Sequence, residues 1–150
     1  MSVGEFCNRL VIIARPESDI VAVAKLMRKH HVGDVVIVQG KEGEPQVPLG
    51  IITDRDLVIE LLALEVAPDS VNVGEVMSYE LVTCRESDTI WGALLRMRSN
   101  AIRRMVVVNN KGSLIGILTV DDILELLAEK MTALSKVALG QQAKERRRKE

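Results

Sequence analysis

The chain has 150 residues and a formal net charge of -1, and 47% of its residues are hydrophobic. This length suits one compact domain or two small halves that share a core, and the near-neutral charge argues against a body built to bind nucleic acid. Aromatic residues make up only 2%, so aliphatic residues and methionine must build the core. No apolar run reaches the roughly 18 residues of a membrane span, and neither a disulfide framework nor a leader pattern is present, so we expect a protein of the cytoplasm.

The spacing of apolar residues predicts the elements of the first half. Apolar positions at i, i+3, i+4 and i+7 from Ile20 predict a helix with one buried face. Short aliphatic runs bounded by turn residues predict strands. In chain order we expect a strand at 10–13, a helix start at 17–19, the helix from Ile20, strands at 35–38 and 49–52, and a helix from Asp54 to about Leu64.

The second half repeats this order after a linker at 65–70 that contains a helix-breaking proline. Val3-Gly4-Glu5 recurs 70 residues later, and Gly50-Ile51-Ile52-Thr53 matches a segment 66 residues later. A single unit would leave much apolar surface exposed, and two units packed together bury it. The second unit has a strand at 81–83, a helix start at 86–88, a helix from Ile90, strands at 105–108 and 114–118, and a closing helix from Val120.

We therefore predict a mixed α/β (α+β) fold of two pseudo-symmetric repeats, 1–66 and 67–130. Each is ordered strand, helix, strand, strand, helix, and the two pack through their sheets. Residues 131–150 are predicted to form a C-terminal helical extension with a basic tail. An apolar stripe along this helix leads us to expect that it packs across a dimer or onto a partner. The basic tail is interpreted as a solvated helix end, with a nucleic-acid contact as the alternative.

The pattern Gly-apolar-apolar-Thr-x-x-Asp occurs at Gly50–Asp56 and again at Gly116–Asp122. A threonine followed three residues later by an acid is also a capping box, so capping explains either copy alone. Two copies after apolar strands also suit a ribonucleotide, because a helix start attracts phosphate and an aspartate can accept both hydroxyls of a ribose. The two interpretations are compatible, since the same residues can cap the helix when no ligand is bound.

These two blocks, together with Val73-Gly74-Glu75-Val76-Met77 and the segment 102–107, resemble a pair of CBS (cystathionine-β-synthase-type) repeats, also called a Bateman module. The resemblance covers about residues 3–130. It implies two pseudo-symmetric clefts between the repeats, which bind AMP, ADP, ATP, S-adenosylmethionine or NAD in this family. It also implies pairing into flat, disc-like homodimers.

Carried over by position, the resemblance implies that Thr53 and Asp56 hold the ribose and phosphate at one site, and that Thr119 and Asp122 do so at the other. The base would lie between the end of the first strand of a repeat and the start of the next strand. The implied walls are Ile13, Ala14, Val32, Gly33 and Val35 in the first repeat, and Thr83, Cys84, Ile102 and Met105 in the second.

Charged residues distinguish the two implied sites. Arg55 and Arg104 are the candidate phosphate partners, because a guanidinium is a fork-shaped donor that is always charged. Where the second repeat has Arg103-Arg104, the first has Gly33-Asp34, and Arg55 corresponds to Asp121. Because an aspartate repels phosphate, we expect only one site to bind tightly.

The expected function is that of a homodimeric regulatory module that binds an adenine nucleotide and signals to an unidentified protein. AMP, ADP or ATP is the first expectation, with NAD or S-adenosylmethionine as alternatives, and a ligand-free dimerising scaffold is the alternative function. No nucleophile–base pair, metal-ligand set or phosphate-transfer loop is apparent, so we expect neither an enzyme nor a metal site. His30 and His31 are interpreted as helix-end cations, and Trp91 as a packing or dimer contact with base stacking as the alternative. Neither a membrane nor a nucleic acid is expected as a partner.

Overall fold

The computed structural model describes residues 1–149 as two units of the same order, which confirms the predicted α+β fold of two pseudo-symmetric repeats. Glu150, the last residue of the predicted basic tail, lies outside the described residues. The first unit contains α1 (Val3–Phe6), β1 (Ile13–Ala14), α2 (Ile20–His30), β2 (Asp34–Gln39), β3 (Val47–Thr53) and α3 (Asp54–Asp56), which continues as a π-helical segment, Leu57–Leu62. The second contains a 3₁₀ turn (Pro68–Ser70), α4 (Val73–Val76), β4 (Thr83–Arg85), α5 (Ile90–Ser99), β5 (Arg104–Val108), β6 (Leu114–Thr119) and α6 (Val120–Lys149).

Each unit forms one three-stranded sheet. In the first, β1 pairs parallel with β2, and β2 pairs antiparallel with β3; β4, β5 and β6 repeat this arrangement. A parallel pair needs a crossover between its strands, and α2 and α5 supply it. Both helices bury most of the predicted face: Ile20, Val23 and Met27 are buried in α2, and Ile90, Ala93 and Met97 in α5. The i+4 residues of that face, Ala24 and Leu94, are half-buried.

The two crossover helices begin at different side chains. The Asp19 carboxylate accepts a hydrogen bond from the Ala22 N–H at 3.0 Å, as the predicted start at 17–19 requires. In α5 the cap is Thr89, whose hydroxyl oxygen accepts from the Gly92 N–H at 3.0 Å. The predicted start at 86–88 therefore falls one residue early. Asp88 instead accepts from the Arg85 N–H at 3.0 Å and closes the turn before the helix.

The short helix α1 begins the chain but belongs to the core of the second unit. Val3 is fully buried in that core, and its N–H donates to the Asp88 carbonyl at 2.8 Å. The equivalent helix α4 completes the first core in the same way, because Val73 is buried there and its N–H donates to the Ser18 carbonyl at 3.1 Å. Each core is therefore completed by a short helix that precedes the other unit in sequence.

The two sheets pack against each other through valine side chains of their central strands. Val36 and Val38 of β2 meet Val106 and Val108 of β5 in one buried cluster, which Ile117 of β6 completes. This contact confirms that the repeats pack through their sheets. Equivalent positions of the two repeats therefore meet near one pseudo-two-fold axis.

Three predicted elements differ from those observed. The first strand of each repeat lies later than at 10–13 and 81–83, because the residues that follow α1 cross from one unit to the other and leave Leu10 86% exposed. The predicted helix from Asp54 is interrupted after one turn, where the Ala63 N–H donates to the Val58 carbonyl at 2.8 Å in a π-helical bond. Within residues 1–149, no helix is both long and apolar enough to cross a membrane.

Candidate functional site

The threonine and aspartate of each repeated motif form a capping box. Thr53 Oγ1 accepts from the Asp56 N–H at 3.2 Å, and the Asp56 carboxylate accepts from the Thr53 N–H at 2.8 Å. At α6, Thr119 and Asp122 make the same two bonds at 3.2 and 2.7 Å, and the Thr119 hydroxyl also donates to the Asp122 carboxylate at 2.9 Å. Capping is therefore present at both helix starts, and only Thr119 uses its hydroxyl proton within its motif.

A cleft of about 520 Å³ lies beside the first of these helix starts. Its walls come from both repeats, so that the cleft crosses their boundary. Its lining combines aliphatic side chains with a few charged ones, which is the usual composition of a small-molecule site. The lining residues are Ile51, Thr53, Asp54 and Arg55 of β3 and α3, Glu80, Leu81 and Val82 before β4, and Ala101, Ile102, Arg103, Arg104 and Val106 around β5. We call this the arginine cleft.

Three guanidinium groups border the arginine cleft. Arg104 forms an ion pair of 2.8 Å with Asp34 of the first repeat, and Arg103 forms an exposed pair of 3.6 Å with Asp121. Arg55 has no carboxylate within ion-pair distance among residues 1–149. The cleft can therefore offer Arg55 to an anion directly, whereas Arg104 must exchange its partner.

Two positions beside α6 carry the opposite charge to their equivalents in the arginine cleft. The pseudo-symmetry relates Arg104 to Asp34 and Arg55 to Asp121, so the second helix start is bordered by aspartates where the first has arginines. The Asp34–Arg104 pair joins two equivalent positions, because each residue begins the central strand of its sheet. The charge difference that the sequence predicts between the two sites therefore comes from these two pairs of equivalent positions.

The structure groups the predicted site residues differently from their sequence pairing. Thr53 and Arg55 of the first repeat share the arginine cleft with Ile102 and Arg104 of the second, and Asp56 does not line it. The repeat-by-repeat prediction instead groups Ile102 and Arg104 with the motif of their own repeat, Gly116–Asp122. The roles of all these residues in binding stay a prediction.

The remaining predicted residues lie outside the arginine cleft. The side chains of Val35, Cys84 and Met105 are buried in the two cores, and Ala14 packs against the first of them. Ile13 is partly exposed, and Val32 and Gly33 are half-buried just before β2. A separate polar cleft of about 590 Å³ is lined by Thr83 and Cys84, and Asp122 lines a shallow groove beside Phe6. Neither of these cavities contains Thr119.

Sequence reasoning missed several residues of the arginine cleft, of which Glu80–Val82 and Arg103 are the most informative. Leu81 and Val82 belong to the segment 81–83, which the apolar pattern predicts as a strand, and Glu80 precedes that segment. Opposite charges at the equivalent positions Asp34 and Arg104 were the one available signal, since equivalent positions near a two-fold axis lie close together. That signal indicates a contact across the axis and so a cleft shared by the repeats.

Asp34 carries an electrostatic cost in the folded protein. Burial raises the pKa of its carboxyl group, the Arg104 guanidinium lowers it, and Asp54 raises it again, with a net shift upward. A raised pKa means that the folded state binds this proton more tightly than the unfolded state.

We expect the stability of the protein relative to an Asp34→Asn variant to depend on pH. The contribution of the Asp34 proton is fully present below the ordinary pKa of an aspartate and is lost as pH rises through the raised pKa of the folded state. Urea unfolding of both proteins between acid and neutral pH measures this contribution. The free energy of unfolding of the native protein minus that of Asp34→Asn should decline as pH rises. A difference that instead grew with pH would show that Arg104 outweighs burial.

The two cysteines are not activated thiols. Burial raises the pKa of Cys84 to about 11, and burial also raises that of Cys7. A thiol protonated at neutral pH is a weak nucleophile. In the described part of the chain, no group of three or more His, Cys, Asp or Glu side chains is placed to hold a metal ion.

Comparisons with known proteins agree with this architecture. The family model of the CBS domain matches residues 3–63 and 73–129. An uncharacterized protein of Methanopyrus kandleri is 40% identical over 126 residues, which cover 84% of this chain and 62% of that protein. The chain therefore spans less than two thirds of the length of this relative.

Two solved structures share the fold at 25% sequence identity. One is the CBS domain pair of the protein MJ0100 in complex with 5′-methylthioadenosine and S-adenosyl-L-methionine; the match has a TM-score of 0.74 and covers 87% of this chain and 98% of that one. The other is a hexameric CBS-CP12 protein from bloom-forming cyanobacteria, with a TM-score of 0.69 and coverage of 83% and 69%.

Proposed function

The chain belongs to the CBS domain family, and on that premise we propose that it binds one adenine nucleotide in the arginine cleft and reports the binding to a partner protein. The observation that carries this proposal is the set of three arginines from two repeats on one cleft of about 520 Å³. The corresponding positions on the other side are Asp121, Gly33 and Asp34. The carboxylates of Asp54 and Glu80 also line the arginine cleft, so its arginines exceed its acidic groups by one, whereas the corresponding positions of the other side carry two aspartates and no arginine.

The chemistry of the lining suits a nucleoside phosphate. Ile51, Leu81 and Ile102 provide an aliphatic surface for a base, and the guanidinium groups provide charge-assisted donors for a phosphate. The Thr53 hydroxyl accepts a hydrogen bond from Asp56 and keeps its own proton for a ligand oxygen. A phosphate therefore meets both a fixed charge and a free hydroxyl donor.

The adenosyl part of the proposal is supported by the CBS domain pair that was solved with two adenosyl compounds. The arginine cleft adds a reason to favour ligands with a phosphate. AMP, ADP and ATP are proposed first, and NAD and S-adenosylmethionine are the ligands to test beside them.

A route from ligand to signal is provided by the Asp34–Arg104 ion pair. The pair joins the two repeats at 2.8 Å, and Arg104 also lines the arginine cleft. A bound phosphate competes with Asp34 for the Arg104 guanidinium. Because the Asp34–Arg104 pair holds the two repeats in one relative orientation, a ligand that breaks the pair favours a different orientation. Differential binding of this kind is what a ligand needs in order to shift a conformational equilibrium.

Calorimetric titration tests the proposal with AMP, ADP, ATP, NAD and S-adenosylmethionine, and with adenosine as the ligand that lacks a phosphate. We expect one binding event per chain, and weaker binding of adenosine than of AMP. Two equal sites per chain would contradict the charge argument.

Replacing Arg55 by alanine is expected to lower the affinity for AMP about tenfold, because one charge-assisted hydrogen bond contributes about 1.5 kcal/mol or more. The affinity for adenosine should not change, which separates loss of the phosphate contact from damage to the cleft. Arg98→Ala, which removes an exposed arginine of α5 outside the cleft, is the matched control. If the AMP affinity of Arg55→Ala is unchanged, the phosphate does not bind to Arg55 in this cleft.

A second candidate function is a ligand-free dimerising scaffold. The capping boxes favour it, because Thr53 and Asp56 already satisfy each other, and Thr119 and Asp122 do the same. In that case none of the titrated nucleotides produces heat or raises the melting temperature.

A further inference from the structure

The last helix extends far beyond the body of the protein. α6 buries only Ile123 and Leu126, both in its first two turns, and every side chain from Ala128 to Lys149 is exposed. At 1.5 Å per residue this free part spans roughly 30 Å. Most of the stability of a protein helix comes from packing of an apolar face, so a helix of this kind needs a partner.

The exposed part carries an apolar seam with coiled-coil spacing. Leu124, Leu127, Met131, Leu134 and Ala138 alternate three and four residues apart, which places them on one face of the helix. Met131 and Leu134 are each 70% exposed. Leu124 is 55% exposed and Leu127 also packs against the second core, so the seam begins at the edge of the body and continues into the free part.

Charge is divided unequally along the same helix. The first ten residues contain four acidic side chains, Asp121, Asp122, Glu125 and Glu129, and no basic one. From Lys130 to Lys149 there are seven basic side chains and one acidic one. Two such helices repel when they are parallel, because their basic ends coincide, and attract when they are antiparallel. The helix is therefore complementary to a second copy of itself in the reverse direction.

We propose that the α6 helices of two copies of this chain pair antiparallel along the seam. A register in which Met131 of one copy faces Leu134 of the other sets the acidic first ten residues of each helix level with Lys136 and Lys144 of its partner. This contact is isologous, so it closes in a pair of copies. It is independent of nucleotide binding.

The mass of the full chain in solution, measured by sedimentation equilibrium, tests the pairing. Leu134→Lys places a charge in the centre of the seam and is expected to halve the assembly mass. Thr132→Lys, which adds the same charge to an exposed position outside the seam, should leave the mass unchanged. A monomeric native chain, or an assembly whose mass Leu134→Lys does not alter, would overturn the proposal.

The direction of pairing has its own test. Replacing both Lys136 and Lys144 by glutamate is expected to weaken association about fivefold, because it reverses the charge that lies level with the acidic stretch of the partner helix. Adding Glu125→Lys and Glu129→Lys to the same chain should restore the association. If this combined variant associates no better than the variant with the two glutamates alone, the antiparallel arrangement is wrong.

Discussion

Replacing Val3 by alanine is expected to destabilise the second repeat, by about 2 kcal/mol, although Val3 stands at the beginning of the first. Val3 is fully buried among Ile90, Met105 and Leu118, so the truncation leaves a cavity in the second core. Val73→Ala is the matched experiment, because Val73 is equally buried in the first core. The two variants remove the same atoms from equivalent sites.

Hydrogen exchange measured by mass spectrometry distinguishes where each variant acts. Val3→Ala should reduce protection in β4, β5 and β6 more than in the first sheet, and Val73→Ala should do the reverse. Val21→Ala is the control, since Val21 is 44% exposed on α2 and its truncation should change the free energy of unfolding by less than about 0.5 kcal/mol. Equal loss of protection in both sheets after Val3→Ala would mean that the two cores unfold as one.

The sequence predicted the repeat and its helices well, because both signals are local and periodic. The 70-residue offset and the i, i+3, i+7 face beginning at Ile20 and Ile90 are direct consequences of regular structure. It could not assign α1 to the second core, since Val3 and Val73 stand in identical Val-Gly-Glu triplets. The choice between the two cores depends on where the chain crosses between the units, which no short motif encodes.

For the candidate site too, local features were predicted and contacts between the repeats were not. The repeated motif located both helix starts and the capping bonds of Thr53 and Thr119. It did not predict that Thr53 shares a cleft with Arg104, because the cleft forms across the pseudo-two-fold axis and joins segments that a repeat-by-repeat comparison keeps apart. The sequence can reveal a site between two repeats only where equivalent positions have complementary charge or size. Asp34 and Arg104 are such a pair of positions.

The two motif glycines are expected to tolerate no side chain, and Gly50→Ala and Gly116→Ala should each destabilise the protein by about 1–3 kcal/mol. A Cβ atom at Gly116 would lie 2.7 Å from the Asn8 carbonyl oxygen, and one at Gly50 would overlap the Ser78 carbonyl oxygen. These carbonyls cannot move away freely, because reciprocal backbone hydrogen bonds tie Asn8 to Ile117 at 2.8 and 2.9 Å and Ser78 to Ile51 at 3.0 and 3.2 Å.

Urea unfolding of both variants measures this cost, with Gly140→Ala as the control. Gly140 has open space around its Cα in the middle of α6, so alanine there should raise stability by up to about 1 kcal/mol. Unchanged stability in Gly50→Ala would mean that the segment after α4 can shift. Ile51 adjoins Gly50 and lines the arginine cleft, whereas neither Gly116 nor its neighbours Ile115 and Ile117 line it. Gly50→Ala should therefore weaken nucleotide binding as well, and Gly116→Ala should lower stability while leaving the cleft unaltered.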